Sequence, residues 1–301
     1  MTTLLQDQPK YSKKRYYKPI QVVLFSIAVA LALFVLTLLV GFLMGYRYIT
    51  EPVDNGTVKF FGKVNSSGTV VSGKLYYSDG VTGKIDIKTS TVRYSDGSVY
   101  EGTLVNLKKN GHGKLTYASG DTYVGNFTDD KIEGKGEYTY SNGDTYVGSF
   151  LDNKKHGSGK YTFASDGSYY EGGFVKDSKE GNGTFVWADG SSYVGEYKND
   201  VKNGYGVFNF ANGDKYEGNF VNDIRAGKGK YTWAASGDVY EGEFLNNLMH
   251  GWGIYRWAEG RIYEGVFENG IIVKVETPES NPENPPETGE VGDNGEGSPA
   301  E

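Results

Sequence analysis

Two patterns of apolar residues divide the chain. From Ile20 to Tyr46 no charged residue interrupts an apolar run, and Gln21, Ser26 and Thr37 are its only clearly polar members. The run has no polar face, unlike a helix packed on a soluble core. About 20 residues suffice to cross a bilayer core, so the pattern predicts a transmembrane helix over residues 20–46. A cleaved signal peptide carries a shorter apolar stretch of about 7–15 residues, which favours an uncleaved anchor. Beyond the run, apolar and polar residues alternate with period 2, the period of a strand.

That alternation is itself repeated. Tyr recurs at Tyr100, Tyr123, Tyr146, Tyr170, Tyr193, Tyr216, Tyr240 and Tyr263. Gly follows two residues later, as in Gly148 and Gly172, and two further on comes an apolar residue, usually Phe, as in Phe127, Phe150 and Phe220. The second half of a unit opens on Gly-x-Gly, runs aromatic-x-aromatic, as in Tyr138 and Tyr140, and closes on a Gly turn such as Gly143. Upstream, Phe60, Gly62, Val64, Gly73, Leu75, Tyr77 and Gly80 keep the same offsets in eroded form, and a shortened unit follows from Val81 to Gly97. Eroded first units suit the end of a repeat array.

Each unit therefore reads as a β-hairpin. A two-residue loop at Asn142-Gly143 would put Tyr138 and Tyr146 on opposite faces. A three-residue loop, Ser141-Asn142-Gly143, pairs Tyr140 with Asp144, Tyr138 with Tyr146 and Gly136 with Gly148. It gathers the aromatics on one face and gives Gly143 the left-handed position such a loop needs. The opposite face is then polar, with Glu137, Thr139, Lys160 and Thr162.

The pattern Tyr-x-Gly-x-Phe, then Gly-x-Gly and an Asp/Asn-Gly turn, resembles the MORN repeat (membrane occupation and recognition nexus). His156-Gly157-Ser158-Gly159 and His250-Gly251-Trp252-Gly253 match its His-Gly-x-Gly element. The resemblance runs from Phe60 to about Gly270. It implies an elongated antiparallel repeat sheet acting as a scaffold, and lipid binding has been proposed for the family. The expected fold is all-β: a single-layer antiparallel sheet of hairpins, one N-terminal transmembrane helix and a disordered C-terminal tail. The expected organisation is a cytoplasmic basic segment (1–19), the membrane helix (20–46), a linker (47–59), degenerate repeats (60–99), regular repeats with a closing strand (100–275) and an acidic Pro/Glu/Gly tail (276–301).

Charge refines this picture. Lys10, Lys13, Lys14, Arg15 and Lys18 precede the apolar run, and only Arg47 follows closely. The positive-inside rule then places the N-terminus in the cytoplasm and the repeats outside. The net charge of −7 argues against nucleic acid as a partner. Most of the negative excess lies in the tail, leaving the repeats nearly neutral. Cys is absent, which removes disulfides and thiolate sites.

The search for chemistry is negative. His112, His156 and His250 are read as loop residues of separate units, too far apart to form a metal site or triad. Gly157-Ser158-Gly159-Lys160 lacks the flanking Gly and Ser/Thr of a phosphate loop. Carboxylates are scattered and no apolar pocket is evident. No enzyme activity, cofactor or metal is expected. The candidate contact surface is the aromatic face, with Tyr146, Tyr170, Tyr193, Tyr216 and Tyr240 in line and Trp187, Trp233 and Trp257 beside them. The expected function is a membrane-anchored, non-catalytic scaffold for a partner protein or a second copy, in a bacterial envelope or division setting. The alternative is an extracytoplasmic module for cell-wall glycan or phospholipid headgroups, and the absence of a basic surface weighs against lipid.

Overall fold

The computed structural model describes residues 19–54, 56–86 and 88–273. The acidic tail, most of the basic N-terminal segment, and Lys274 and Val275 of the expected closing strand lie outside these residues. The apolar run forms α1 (Pro19–Leu43), none of whose residues is buried. Its mean hydropathy reaches 3.0. Length and apolarity meet the requirement for a membrane span, and a secretory signal would meet it too.

The helix stops three residues before the expected Tyr46. Gly45 takes φ +87°, and Met44 N–H and Gly45 N–H donate to Val40 O and Phe42 O at 2.9 and 3.1 Å. A left-handed glycine of this kind ends a helix by satisfying its last carbonyls. Tyr46 already begins β1 (Tyr46–Val53), which pairs with β2 (Gly56–Val64), then β3 (Val70–Tyr77) and β4 (Thr82–Asp86). Most of the segment read as a linker is therefore strand. These elements make the first of two compact units, through Lys88, and the second begins at Thr89.

Within the second unit, antiparallel strands follow one another from Thr91–Tyr94 to Ile271–Ile272, each paired with its neighbours in sequence. The three-residue loop is as expected. Tyr146 pairs with Tyr138 and Gly148 with Gly136. Gly143 N–H donates to Tyr140 O at 2.9 Å, and Tyr140 N–H to Asp144 O at 2.9 Å. Gly143 has φ +92°.

At the other edge the hairpins close differently. Asp152 and Asn153 take φ of 50° and 65°, the two-residue type I′ geometry. Asn199-Asp200, Asn222-Asp223 and Asn246-Asn247 do the same. Asn and Asp tolerate this region better than other non-glycine residues. A bulge follows in each unit: between Phe150–Lys155 and Gly148–Gly159, His156, Gly157 and Ser158 oppose Ser149 alone. Gly157 takes φ +69° there. The three histidines thus lie within strands, beside these bulges, and not in loops as expected.

Gly143→Val should destabilise the chain by about 1 kcal/mol or more, because a β-branched residue strains at positive φ and a Cβ there already meets Ala164 at 3.0 Å. Asn142→Ala should cost less. Because repeats depend chiefly on neighbours, hydrogen exchange in the full chain should quicken near residues 123–163. Uniform quickening over all repeats would contradict a nearest-neighbour array.

Candidate functional site

The first repeat tyrosine of each unit is spent on folding. Tyr100, Tyr123, Tyr146, Tyr170, Tyr193, Tyr216 and Tyr240 are each 0% exposed. The Tyr146 ring covers Gly148 on its own strand and Gly159 on the next, and a Cβ at either glycine would collide with it. Its hydroxyl donates to Ser149 O at 3.0 Å. Phe150 and Phe174 meet the ring edge-on, at centroid distances of 5.0 and 5.1 Å. Tyr170 and Tyr216 repeat this arrangement with Phe174 and Tyr197, and with Phe220 and Phe244. The five tyrosines expected on a contact face are therefore the interior. The reason is steric: paired glycines leave space that only the ring fills.

A second row of rings runs along the edge of the Gly-turn loops, which have three residues, or four at 164–167 and 234–237. Tyr161, Phe163, Phe185, Trp187, Phe208, Phe210, Tyr231, Trp233, Tyr255 and Trp257 follow one another at 4.4–5.9 Å. Trp187, Trp233 and Trp257 are half-buried in it. They share the aromatic face with the repeat tyrosines but, like Tyr161, Phe163 and Phe210 of the same row, they keep partial access to solvent. Trp252 is different. It lies on the opposite face, 56% exposed, at the middle position of Gly251-Trp252-Gly253. Its parity with respect to Gly253, which lies under Tyr240, places it there, so the sequence carried the signal.

Between the two ring rows sits a line of cations. Lys155 Nζ lies 4.8 Å from the Tyr161 centroid and 5.8 Å from that of Tyr146. Lys179, Lys202 and Arg225 hold equivalent places in later units. Burial draws the ammonium pKa of Lys155, Lys179 and Lys202 downward, and nearby Asp177, Asp200 and Asp223 oppose that shift. Cations held over ring faces are attracted by the ring quadrupole.

Carboxylates tie unit to unit at both edges. At the type I′ edge, Asp177 Oδ1 accepts from Lys155 N–H at 2.8 Å, and Asp177 N–H donates to Lys155 O at 3.0 Å. Asp200 with Lys179 and Asp223 with Lys202 repeat the link. At the loop edge, Asp144 accepts from the Tyr161 hydroxyl at 2.7 Å and Ala164 N–H at 2.8 Å. These bonds, the backbone one foremost, hold the Asp144 carboxyl below its ordinary pKa. Asp214 accepts in the same way from Tyr231 and Ala234 N–H, and Asp238 from Tyr255 and Ala258 N–H. Where the next unit has Phe185 or Phe208 instead of Tyr, the position is Ser168 or Ser191.

The face opposite the rings carries an open trough of about 770 Å³. His112, Val124, Lys135, Val147, Lys160 and Glu171 line it, over a floor of repeat glycines. Val147 is 54% exposed and Val124 38%. Among the described residues no group of three or more His, Asp or Glu could hold a metal. His250 Nδ1 is buried without a hydrogen-bond partner, and nothing in the strand around it points to a ligand.

The model of the MORN repeat family matches residues 100–122, 123–145, 146–168, 170–192, 193–215, 216–237 and 240–260, more than half of the chain. The chain belongs to the MORN-repeat family. No curated protein matches it. Among solved structures, it is similar to the TCP domain of SAS-4 (dCPAP) of Drosophila melanogaster in complex with a proline-rich motif of Ana2, at 15% identity, 55% of this chain, 94% of that one and TM-score 0.34. It is also similar to the TCP10 domain of Danio rerio CPAP in complex with a STIL peptide, at 13% identity, 73% and 100% coverage and TM-score 0.38. A streptogramin B lyase structure matches at 15% identity, 74% and 69% coverage and TM-score 0.15.

The ring interior of the MORN units predicts an alkaline transition. Burial raises the phenol pKa of Tyr100, Tyr123, Tyr146, Tyr170, Tyr216 and Tyr240 from 10.0 to about 12. A folded pKa above the unfolded one means the stabilisation is whole below pH ~10 and is lost as pH rises towards ~12. The urea midpoint of the full chain should hold steady from pH 7 to 9 and fall steeply above 10. Tyrosinate absorbance should appear with unfolding. Full tyrosinate signal near pH 10 in a still-folded chain would contradict the burial.

Proposed function

We propose that the chain is a membrane-anchored, non-catalytic scaffold whose MORN units dock a protein partner on the face opposite the rings. The observation that carries this reading is the division of labour between the faces. The ring face is consumed by packing, with its repeat tyrosines at 0% exposure. The trough presents exposed valines beside Lys135, Lys160 and Glu171, an apolar strip that can serve as a contact core with the charged groups as its polar rim. Repeats stacked in a row are suited to extended contacts of this kind. A bacterial envelope or division assembly is the setting that an outward-facing array would fit.

A second reading rests on Trp187, Trp233 and Trp257, which keep solvent access at the loop edge. Such rings could stack on sugar rings of a cell-wall glycan. The two readings separate by surface. A photo-crosslinking residue at position 147 of the anchored chain should capture a membrane protein, and Lys160→Glu should abolish that capture while Trp→Ala at 187, 233 and 257 leaves it. The converse result, with glycan retention lost only in the Trp variants, would favour the glycan.

The anchor itself has a direct test. A reporter active only outside the cytoplasm, fused after Glu301, should be active if the basic segment lies inside. A bright cytoplasmic reporter at that site would overturn the outward assignment and the envelope setting together.

A further inference from the structure

The first unit, ahead of the units matched by the family model, has its charge arranged differently from the rest. Cross-strand partners share a sheet face. Tyr46 pairs with Lys63, Tyr48 with Phe61 and Thr50 with Lys59. On the next ladder Phe61 pairs with Lys74 and Lys59 with Tyr76, and beyond it Lys74 pairs with Lys84. One face of β1–β4 thus interleaves four rings with four ammonium groups. The rings are 42–64% exposed, and the lysines are exposed as well. The opposite face makes the core, with Val58, Phe60 and Leu75 at 0% exposure.

These lysines lack the partners that cations have elsewhere. In the second unit Lys109, Lys131 and Lys202 meet Asp130, Asp152 and Asp223 at 2.9, 2.7 and 3.5 Å. Among the described residues none of Lys59, Lys63, Lys74 and Lys84 has such a carboxylate, and Asp86 at the end of β4 is the sole acid on the strands of their face. Open rings beside unpaired ammonium groups call for an occupant that alternates acidic and flat apolar groups.

The chain itself encodes such a segment. Residues 274–301 hold eight carboxylate side chains against one lysine. Within them Glu283, Pro285 and Glu287 stand two residues apart, and the Pro285-Pro286 pair favours extended backbone. In an extended segment residues two apart point to one side, so acid, proline and acid line up at about 6.6 Å intervals. On β2, Lys59, Phe61 and Lys63 line up in the same way and at the same interval. Base, ring and base thus match acid, proline and acid, and aromatic-lined surfaces are the usual seat of proline-rich segments. Tyr48 and Lys74, the partners of Phe61 on either side, flank the match.

Reach decides which copy supplies the segment. The second unit sets seventeen paired strands in a row, from Thr91–Tyr94 to Ile271–Ile272, about 75 Å at about 4.8 Å per strand. Glu287 lies fourteen residues beyond Val273, about 50 Å at full stretch. The first unit precedes that row in the chain and the segment follows it, so the segment is too short to run back along its own row.

We propose that residues 283–287 of one copy dock on the Lys59–Phe61–Lys63 face of a second copy. Lys59 and Lys63 take the two glutamates, and Pro285 lies on the Phe61 ring. This head-to-tail contact is heterologous, so repetition from copy to copy builds rings or open rows of molecules rather than a closed twofold pair. It needs only two copies and stands whether or not α1 crosses a membrane.

The test uses the full chain in neutral detergent, as a mixture of unlabelled and isotope-labelled preparations. A carbodiimide joins amines to carboxylates in contact. It should link Lys59 or Lys63 to Glu283 or Glu287 in peptide pairs of mixed isotope, and high salt should remove the links by screening. Glu283→Gln with Glu287→Gln, which does not touch the sheet, should weaken self-association in sedimentation by about fivefold through the loss of two exposed charge pairs. Lys59→Glu with Lys63→Glu should do the same, and mixing that chain with a Glu283→Lys, Glu287→Lys chain should restore association. Links of single isotope alone place the segment on its own chain and overturn the assignment to a second copy. Self-association untouched by either pair of substitutions, or a chain that stays monomeric throughout, overturns the docking.

Discussion

Everything regular in this chain depends on one contact, a tyrosine ring lying flat over two glycines on adjacent strands. A single-layer sheet has no second layer against which to bury side chains, and isolated hairpins are marginal in water. Removing Cβ at Gly148 and Gly159 lets the Tyr146 ring settle on the backbone itself. The ring then acts as the missing layer. Edge-on contacts to Phe150 and Phe174 join one ring to the next, each worth about 0.5–1.5 kcal/mol beyond the area buried. Stability is thereby shared between neighbours, and no unit is complete alone.

Polar groups complete the same logic at the edges. A type I′ turn leaves backbone groups pointing toward the next unit, and Asp177, Asp200 and Asp223 answer them in turn. At the loop edge, Asp144, Asp214 and Asp238 accept a phenol that would otherwise be a buried donor without a partner. Leaving such a group unsatisfied costs about 1–3 kcal/mol. This is the physical reason why Ser replaces Asp where the following ring is Phe. The lysines between the ring rows lie over ring faces, and Asp177, Asp200 and Asp223 oppose the downward pull of burial on their pKa.

In the MORN units the repeat tyrosines are committed to folding, and the surface left open comprises the trough on the opposite face and the half-buried part of the ring row at the loop edge. In the first unit the relation changes. Phe60 takes the place of Tyr over Gly62 and Gly73, and rings appear on the outer face among lysines. Erosion of the repeat there exchanges the regular polar face for one of exposed rings interleaved with lysines.

The sequence by itself determined the repeat, its hairpins, the three-residue loops and the ring face, because a period of 2 and the spacing of Tyr and Gly are local facts. It determined the apolar helix for the same reason. It did not determine where that helix ends, since Gly45 reads as one more small residue until its φ is known. Whether a ring is interior or surface was decided by tertiary structure alone. Tyr146 and Trp187 share a face, and only the glycines beneath Tyr146 and the neighbours across two strands bury one and leave the other half open. The type I′ turns, the carboxylate links over 21 or 22 residues and the lysine cluster of β1–β4 likewise join positions far apart in the chain. Register brings them together, and register is a property of the folded sheet.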